Sequence, residues 1–281
     1  MKLSASSYCY YQLSQKGLIT QFSTIELAAS MGFKGIEILT LTPPQDMTDF
    51  EYAKLLREEA KRCNIEIIGY IIGGNMMEPN SDEIYEQVAH HIDIAAELGA
   101  PLVRYDIGYK WPEDLGEDPD WRDVIPRVSA LARRLAEYAQ TKGIKFCCEN
   151  HGGLWQDPER LRTLFEAVNH PNYGFLFDIG NFASRGINPF EALDLLMPYI
   201  FHLHAKDLLE TEDGFFHPSC GKRFRRVPLG EGSIQVGECV KKARSLGYDG
   251  YVTAEYETPV PVFEGLAKSA DYLRSLGVID D

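Results

Sequence analysis

The chain has 281 residues and an ordinary globular composition, 44% hydrophobic and 25% charged, but its formal net charge of −14 disfavours nucleic acid and anionic membranes as partners. The six cysteines contain no CxxC pair, which disfavours a thiolate zinc site and indicates reduced thiols. The N-terminus lacks the apolar core of a secretory signal, and no stretch approaches the ~18 apolar residues of a membrane span, so we expect a cytoplasmic protein.

Short apolar runs recur along the chain, and each has the length of a β-strand. Most are bounded by Gly, Pro, Asn or Asp, and several are apolar on both faces, as buried parallel strands are. We predict strands within residues 3–10, 35–39, 65–72, 102–108, 145–151, 173–180, 199–207 and 251–257.

Segments with helical periodicity lie between the predicted strands. In three of them we expect apolar residues on one helix face: Tyr52, Leu55, Leu56 and Ala60; Ile84, Val88, Ile92 and Ala95; and Val128, Leu131, Ala132 and Leu135. Asp157-Pro158 and Asn188-Pro189 are typical of helix starts. A glycine or asparagine stands between several helices and the next strand, which is typical of a helix end and indicates a repeated βα unit.

About eight such units in 281 residues predict an α/β fold, a single-domain (β/α)₈ TIM barrel over residues 1–281. A doubly wound open sheet is the alternative. A GxGxxG sequence after the first strand would favour it, and the sequence has none there. Residues 208–232 are irregular and long for a βα connection, so we expect a loop that lies over the barrel mouth and helps to close a site.

Polar side chains stand where the last four predicted strands end. They are Glu149, His151, Asp178, His204, Lys206, Asp207, Glu255 and Glu257. Active-site groups of such barrels lie at the C-terminal ends of the strands, so we expect these side chains to share one rim. Buried carboxylates without partners are costly, and several that converge require a cation. Carboxylates with an imidazole suit Mn²⁺, Mg²⁺ or Co²⁺, and Zn²⁺ stays open.

Five short motifs occur in order at these strand ends: EN-H at 149–151, FDIGN at 177–181, HLHAKD at 202–207, VPLGEG at 227–232 and AEYE at 254–257. Together they resemble the xylose-isomerase-like sugar isomerase/epimerase superfamily over essentially the whole chain. That superfamily includes ketose 3-epimerases, hydroxypyruvate isomerase, inosose dehydratase and, more distantly, apurinic-site endonucleases. The resemblance implies one divalent metal ion, Mn²⁺ before Mg²⁺, Co²⁺ or Zn²⁺, with four ligands: Glu149, Asp178, His204 and Glu255.

The resemblance also implies that Glu149 and Glu255 act as acid and base on opposite faces of the substrate carbon. Two positions depart from the ketose 3-epimerases, which have a histidine where this chain has Asn181 and a glutamate where it has Trp155. These departures disfavour simple ketose 3-epimerisation. The endonuclease branch needs further histidines around the third, fourth and sixth strands, and the sequence has none there.

Four residues are candidates for substrate binding: His151, Asn181, Lys206 and Arg226. His151 has the alternative of bracing Glu149, and Lys206 that of balancing the carboxylates. Arg226 belongs to a basic run at 222–226 that is either solvated surface or the holder of a phosphate or carboxylate.

Other polar and sulfur-containing residues on the predicted strands have plain structural explanations. Glu37 either orients a neighbouring ligand or forms a salt bridge. His202 is expected to be a hydrogen-bonded core residue, and Cys147 and Cys148 are expected to pack in the core.

These patterns predict a metal-dependent isomerase or epimerase of a sugar or a related polyhydroxy carbonyl compound, acting by α-proton abstraction through an enediolate. Inosose-type dehydration on the same metal site is one alternative, and a barrel that binds a sugar without converting it is another. The expected partner is a small sugar or polyol-derived molecule, with no nucleic acid and no membrane, and homo-oligomer formation is left open.

Overall fold

The computed structural model describes residues 1–116, 119–257 and 262–279. Its strands are β1 (Lys2–Ser6), β2 (Gly35–Leu39), β3 (Glu66–Ile72), β4 (Leu102–Tyr105), β5 (Lys145–Glu149), β6 (Tyr173–Asp178), β7 (Ile200–Ala205), β8 (Asp207–His217), β9 (Lys222–Val227) and β10 (Tyr251–Ala254). Eight of them are parallel and close a barrel in the order β1-β10-β7-β6-β5-β4-β3-β2. The predicted (β/α)₈ TIM barrel is therefore confirmed.

Helices alternate with the barrel strands and cover the barrel. They are α1 (Tyr11–Gln15), α2 (Gln21–Ser30), α3 (Asp49–Arg62), α4 (Ser81–Leu98), α5 (Ile125–Thr141), α6 (Pro158–Val168), α7 (Ile179–Ser184), α8 (Pro189–Leu196), α9 (Val236–Ser245) and α10 (Val262–Ser275). Within the described residues, no helix is both long and apolar enough to cross a membrane.

The predicted helix faces and helix starts are confirmed with one exception. Asp157 and Asn188 cap α6 and α8, since their side chains accept hydrogen bonds from backbone N–H groups of the first turn. Leu55 was expected on the buried face of α3, but it is 45% exposed. The helix turns by about 100° per residue, and the neighbouring Leu56 is the one that faces the barrel.

Several barrel strands end before the apolar runs that predicted them. The first run extends to residue 10, but β1 ends at Ser6, whose hydroxyl accepts a hydrogen bond from the Tyr8 N–H (3.3 Å) and starts a 3₁₀ turn. The fourth run extends to residue 108, but β4 ends at Tyr105. Polar residues that follow directly, such as Asp106 and His151, therefore lie at the mouth of the barrel.

Part of the barrel interior below the mouth is apolar. Ile71, Leu102, Cys147 and Leu176 form a small buried cluster there, and Cys148 belongs to the larger core. The expected core packing of both cysteines is confirmed, and all six cysteines are free thiols.

Residues 208–232 are not the irregular loop that the sequence led us to expect. Most of them form an antiparallel hairpin of β8 and β9, whose alternating pattern of partly buried and exposed residues allows two strands to pair outside the barrel. The expected position over the mouth is confirmed, because hairpin residues line the same cavity as Glu149 and Glu255. The turn of the hairpin reaches α7, where the Cys220 thiol donates to the Ser184 carbonyl (3.2 Å).

Asp207 fastens the return of this hairpin to the end of β7. Its buried carboxylate accepts hydrogen bonds from the backbone N–H groups of Leu208 (2.9 Å), Gly230 (2.9 Å) and Gly232 (3.1 Å). Gly232 is required at its position, because a Cβ there would lie 1.9 Å from Asp207 Oδ1. The last part of the hairpin connection is thus held by one side chain.

We expect Asp207→Ala to lower the free energy of unfolding by about 3 kcal/mol, because three donors lose a charged acceptor in a place that excludes water. Chemical denaturation measures this change. Asp213→Ala is the control, since Asp213 lies exposed in the same hairpin. Equal stability of the two variants would show that Asp207 does not fasten the connection.

Candidate metal centre and active site

Four strands bring the four predicted metal ligands together. Glu149 and Asp178 end β5 and β6, His204 lies on β7 opposite Asp178 in the register, and Glu255 follows β10 directly. All four side chains are buried. Each offers a ligand atom within 4.8 Å of the ligand atoms of the other three. The residues can therefore hold a metal ion, and their assignment as its ligands stays a prediction.

The chemistry of this group fits a cation. Asp178 Oδ2 is buried and accepts no hydrogen bond from any residue that the structure describes, and Lys206 Nζ lies 3.3 Å from it. Burial, together with the charges of Glu255 and Glu149, raises the pKa of Asp178 to about 6 against the opposing charge of Lys206. Three carboxylates and one imidazole are a donor set for a divalent ion of the Mn²⁺, Mg²⁺, Co²⁺ or Zn²⁺ type.

Glu37 fixes the orientation of the His204 ring. Its carboxylate lies 2.9 Å from His204 Nε2, while His204 Nδ1 lies 2.8 Å from Glu255 Oε2 and 4.0 Å from Asp178 Oδ2. Nδ1 is therefore the atom that faces the other candidate ligands. Burial alone would raise the pKa of Glu37, but His204 and His202 outweigh it and lower the pKa to about 2.

His202 is buried and hydrogen-bonded, as expected of a core residue. Its Nε2 lies 2.7 Å from Thr253 Oγ1 and 3.0 Å from Glu37 Oε1. The sequence left two roles open for Glu37, and the contacts favour the orienting one, since the same carboxylate holds both histidines.

A second polar cluster at the end of β4 was missed by the sequence analysis. Arg104 is buried, donates to Glu149 Oε2 and forms an ion pair with Asp106 (2.8 Å). Asp106 also accepts a hydrogen bond from the Tyr109 hydroxyl and lies 3.1 Å from His151 Nδ1. The signal was an arginine and an aspartate two residues apart in an otherwise apolar strand run, where a charged pair needs a partner.

The four candidate substrate-binding residues line one cavity of about 920 Å³ that also contains Glu149, His204 and Glu255. All four already contact other residues of the chain, and His151 does so through Asp106. The Asn181 amide donates to Glu149 Oε1 (3.0 Å), and its backbone N–H donates to Asp178 Oδ1 (2.9 Å). Asn181 thus supports two candidate ligands, and its substrate role stays a prediction.

Lys206 and Arg226 both contact Glu257. Lys206 Nζ lies 2.7 Å from Glu257 Oε1 and 2.9 Å from Glu255 Oε1. Burial alone would lower the pKa of Lys206, but the surrounding carboxylates, Asp178 first, raise it well above its usual value. Arg226 Nε lies 3.1 Å from Glu257 Oε2, and its guanidinium stacks on the Phe215 ring. The charge of Arg226 is therefore balanced by Glu257 at the mouth of the barrel.

A family model described as a xylose isomerase-like TIM barrel matches residues 25–276. The uncharacterized protein MJ1311 of Methanocaldococcus jannaschii is 26% identical over 217 residues, which cover 72% of this chain and 68% of that protein. A 3-dehydroshikimate dehydratase of Bacillus anthracis is 23% identical over 239 residues, 81% of this chain and 82% of that enzyme. An inosose dehydratase of Bacillus thuringiensis is 22% identical over 269 residues, 88% of this chain and 86% of that enzyme.

Solved structures share the same architecture. The IOLI protein with a binding zinc atom superposes with a TM-score of 0.76 at 18% identity over 98% of each chain. A D-psicose 3-epimerase in the presence of D-fructose superposes with a TM-score of 0.75 at 18% identity, covering 99% of this chain and 100% of that one. At these identities the likeness concerns the fold.

Proposed function

The chain belongs to the xylose isomerase-like TIM barrel family, and we propose that it removes the α-proton of a polyhydroxylated carbonyl compound and expels the β-hydroxyl group as water. In this proposal Glu149, Asp178, His204 and Glu255 hold one divalent ion, Mn²⁺ in the first place. When bound, that ion supplies positive charge for the negative charge that develops on the carbonyl oxygen of the substrate.

Two residues next to the candidate ligands, His151 and Asp106, are the reason for proposing elimination rather than isomerisation. His151 is partly exposed in the cavity, and the buried carboxylate of Asp106 holds its Nδ1 at 3.1 Å. Burial and the charge of Arg104, whose Nη2 lies 3.0 Å from Nδ1, would lower the pKa of His151, but the hydrogen bond to Asp106 and the charge of Glu149 outweigh them and raise the pKa. An imidazolium in this place can protonate a departing hydroxyl group. Isomerisation or epimerisation, in which two glutamates exchange protons with the substrate, does not need such an acid.

The residues of the chain then divide the work. Glu255 accepts the α-proton, and the electrons of that C–H bond first move towards the carbonyl oxygen. In a second step these electrons form a carbon–carbon double bond as the bond to the β-hydroxyl breaks. His151 gives its proton to the departing oxygen, which leaves as water. Lys206 stays protonated and donates a hydrogen bond to a substrate oxygen, which helps to hold the developing negative charge.

Isomerisation or epimerisation, the first expectation from the sequence, is the second candidate. It is favoured by the presence of both Glu149 and Glu255 in the four-residue group, because two carboxylates can exchange protons with a substrate carbon. The two departures from ketose 3-epimerases weigh against it. Trp155 is 1% exposed, and its indole N–H donates to Met77 Sδ (3.4 Å), so no acidic side chain enters the cavity from that position.

Turnover in D₂O distinguishes the candidates. The Mn²⁺-loaded protein is incubated with inososes, ketoses and 3-dehydro acids, and products are followed by NMR and mass spectrometry. A product that has lost one water supports elimination. Deuterium at the α-carbon of an isomer or epimer with unchanged composition supports the second candidate instead. Neither reaction across the panel, with Mn²⁺ bound, would contradict both and leave a sugar-binding barrel.

Glu37→Gln tests the orientation of His204. We expect the affinity for Mn²⁺ to fall about 10- to 100-fold, because a carboxylate that fixes a ligand ring and its proton is replaced by an amide. Calorimetric titration of the metal-free protein with Mn²⁺ measures this change. Glu66→Gln is the control with the same change of charge, since Glu66 is exposed and pairs with Lys2 at 3.7 Å. Unchanged affinity in Glu37→Gln would show that His204 needs no support from Glu37.

A further inference from the structure

A second cavity of about 630 Å³ adjoins the reaction cavity at the mouth. Gly153 and Arg185 line both cavities, so the two meet at these residues. The second cavity is lined mainly by aromatic and cationic side chains, among them Trp111, Trp121, Arg160 and Arg185, and by one carboxylate, that of Asp120. This composition is unusual in a chain whose net charge is −14.

Arg185 and Arg160 carry charges that no described carboxylate pairs with directly, although the charge of Arg160 helps to lower the pKa of Asp120. Within residues 1–116, 119–257 and 262–279, neither guanidinium forms an ion pair. The third arginine of the cavity, Arg122, differs because it pairs with Asp120 (3.1 Å). Arg104 and Arg226, on the other walls of the mouth, are also paired with carboxylates.

Arg160 has contacts that orient its guanidinium, and Arg185 lies close to the backbone of the same loop. Arg160 Nη1 donates to the Leu154 carbonyl (3.1 Å), which leaves its other N–H groups free for a ligand, and its guanidinium lies 5.7 Å from the Trp121 ring centre. Arg185 lies against the backbone of Gly153, where a Cβ would be 3.5 Å from its Nη1. His217 lines the reaction cavity, and its pKa is lowered, first by burial and second by the positive charge of Arg185.

Arg185 lies where it can contact the end of a substrate that is remote from the reacting carbons. Arg185 follows α7, which starts directly after Asp178, so it stands about 10 Å along the chain direction from that candidate ligand. Carboxylates crowd the reaction cavity and repel an anionic group there. An anionic group is attracted instead to unpaired guanidiniums at the cavity edge, which bind carboxylate and phosphate oxygens in bidentate fashion.

We propose that Arg185, with Arg160, forms a subsite for the anionic end of the substrate, so that the substrate is a polyhydroxylated carbonyl compound carrying a carboxylate or a phosphate group away from the reacting carbons. The nature of the substrate rests on the proposed function, but the anion subsite itself does not. The expectation that Arg226 holds this group gives way to Arg185, because Glu257 already engages Arg226.

Binding of two simple anions, inorganic phosphate and acetate, tests the subsite without turnover. Tryptophan fluorescence reports binding, since Trp121 lines the cavity, and the protein is measured both loaded with Mn²⁺ and after chelation. We expect Arg185→Gln to raise the dissociation constant of the preferred anion about 10- to 100-fold, and Arg185→Lys to raise it less, because a charge without the planar fork remains. Arg134→Gln, which removes a charge paired with Asp82 on the outer surface, should bind as the unmodified protein does.

A preference for phosphate supports a phosphate monoester substrate, and a preference for acetate supports a carboxylic acid. Equal affinity of Arg185→Gln and the unmodified protein for both anions would overturn the subsite, as would failure of the unmodified protein to bind either one. With substrates in hand, Arg185→Gln should lower the ratio of kcat/KM for an anionic compound to that for its neutral counterpart, mainly through KM. Absence of α-proton chemistry would refute the proposed function and leave the anion-binding result standing.

Discussion

Glu255→Gln is expected to lower turnover by about 10²–10⁴-fold, because the amide keeps the size of the side chain but cannot accept the α-proton. Glu255 lies between His204 (2.8 Å) and Lys206 (2.9 Å), so it is placed both to hold a metal and to meet a substrate carbon. The affinity for Mn²⁺ should fall as well, since an amide is a poorer ligand than a carboxylate. Steady-state kinetics and a metal titration of the same preparation measure the two effects separately.

Asp178→Asn is the matched comparison for Glu255→Gln. Asp178 is fully buried, and it does not line the cavity that is open to a substrate. Its loss should act through the metal alone, so excess Mn²⁺ should restore part of the activity of Asp178→Asn and leave Glu255→Gln nearly inactive. Equal restoration of both variants would show that Glu255 is only a ligand, and the proton-transfer role given to it would be wrong.

The barrel and its candidate ligands could be predicted because their signals are local. Each apolar run between turn residues indicates one strand, and parallel strands share the direction of their C-terminal ends, so Glu149, Asp178, His204 and Glu255 had to meet at one rim. Strand ends were predicted too late, as at Ser6 and Tyr105, because hydrophobicity alone does not show where hydrogen bonding to the next strand stops.

The rest of the site depends on contacts that cross the barrel. Arg104 and Asp106 were passed over because their roles appear only when β4 lies beside β5 and brings them to Glu149 and His151. The hairpin of β8 and β9 was missed since its strands are mostly exposed and lack an apolar run. Which arginine is free for an anion could not be read from the sequence either, because it depends on the carboxylate that each arginine meets in space.

The proposed elimination predicts that proton removal and loss of water can be separated. In His151→Gln, loss of water should become about 10²–10⁴-fold slower, because the departing oxygen no longer receives a proton. Exchange of the α-proton with solvent should continue, since Glu255 and the candidate ligands are unchanged. Mass spectrometry of substrate recovered from D₂O and the rate of product formation measure both reactions in one experiment. His90→Gln is the control, because His90 is exposed on α4.

Asp106→Asn should act on the same step through His151. The hydrogen bond to Asp106 is a cause of the raised pKa of His151, so in this variant that pKa should fall. The imidazolium is the acid, and it is lost as the pH rises above its pKa, so the alkaline limb of the elimination rate should move to lower pH. The exchange rate should not show this move. If His151→Gln instead stopped exchange and loss of water equally, His151 would act before or during proton removal, and its role as the acid for the leaving hydroxyl group would have to be given up.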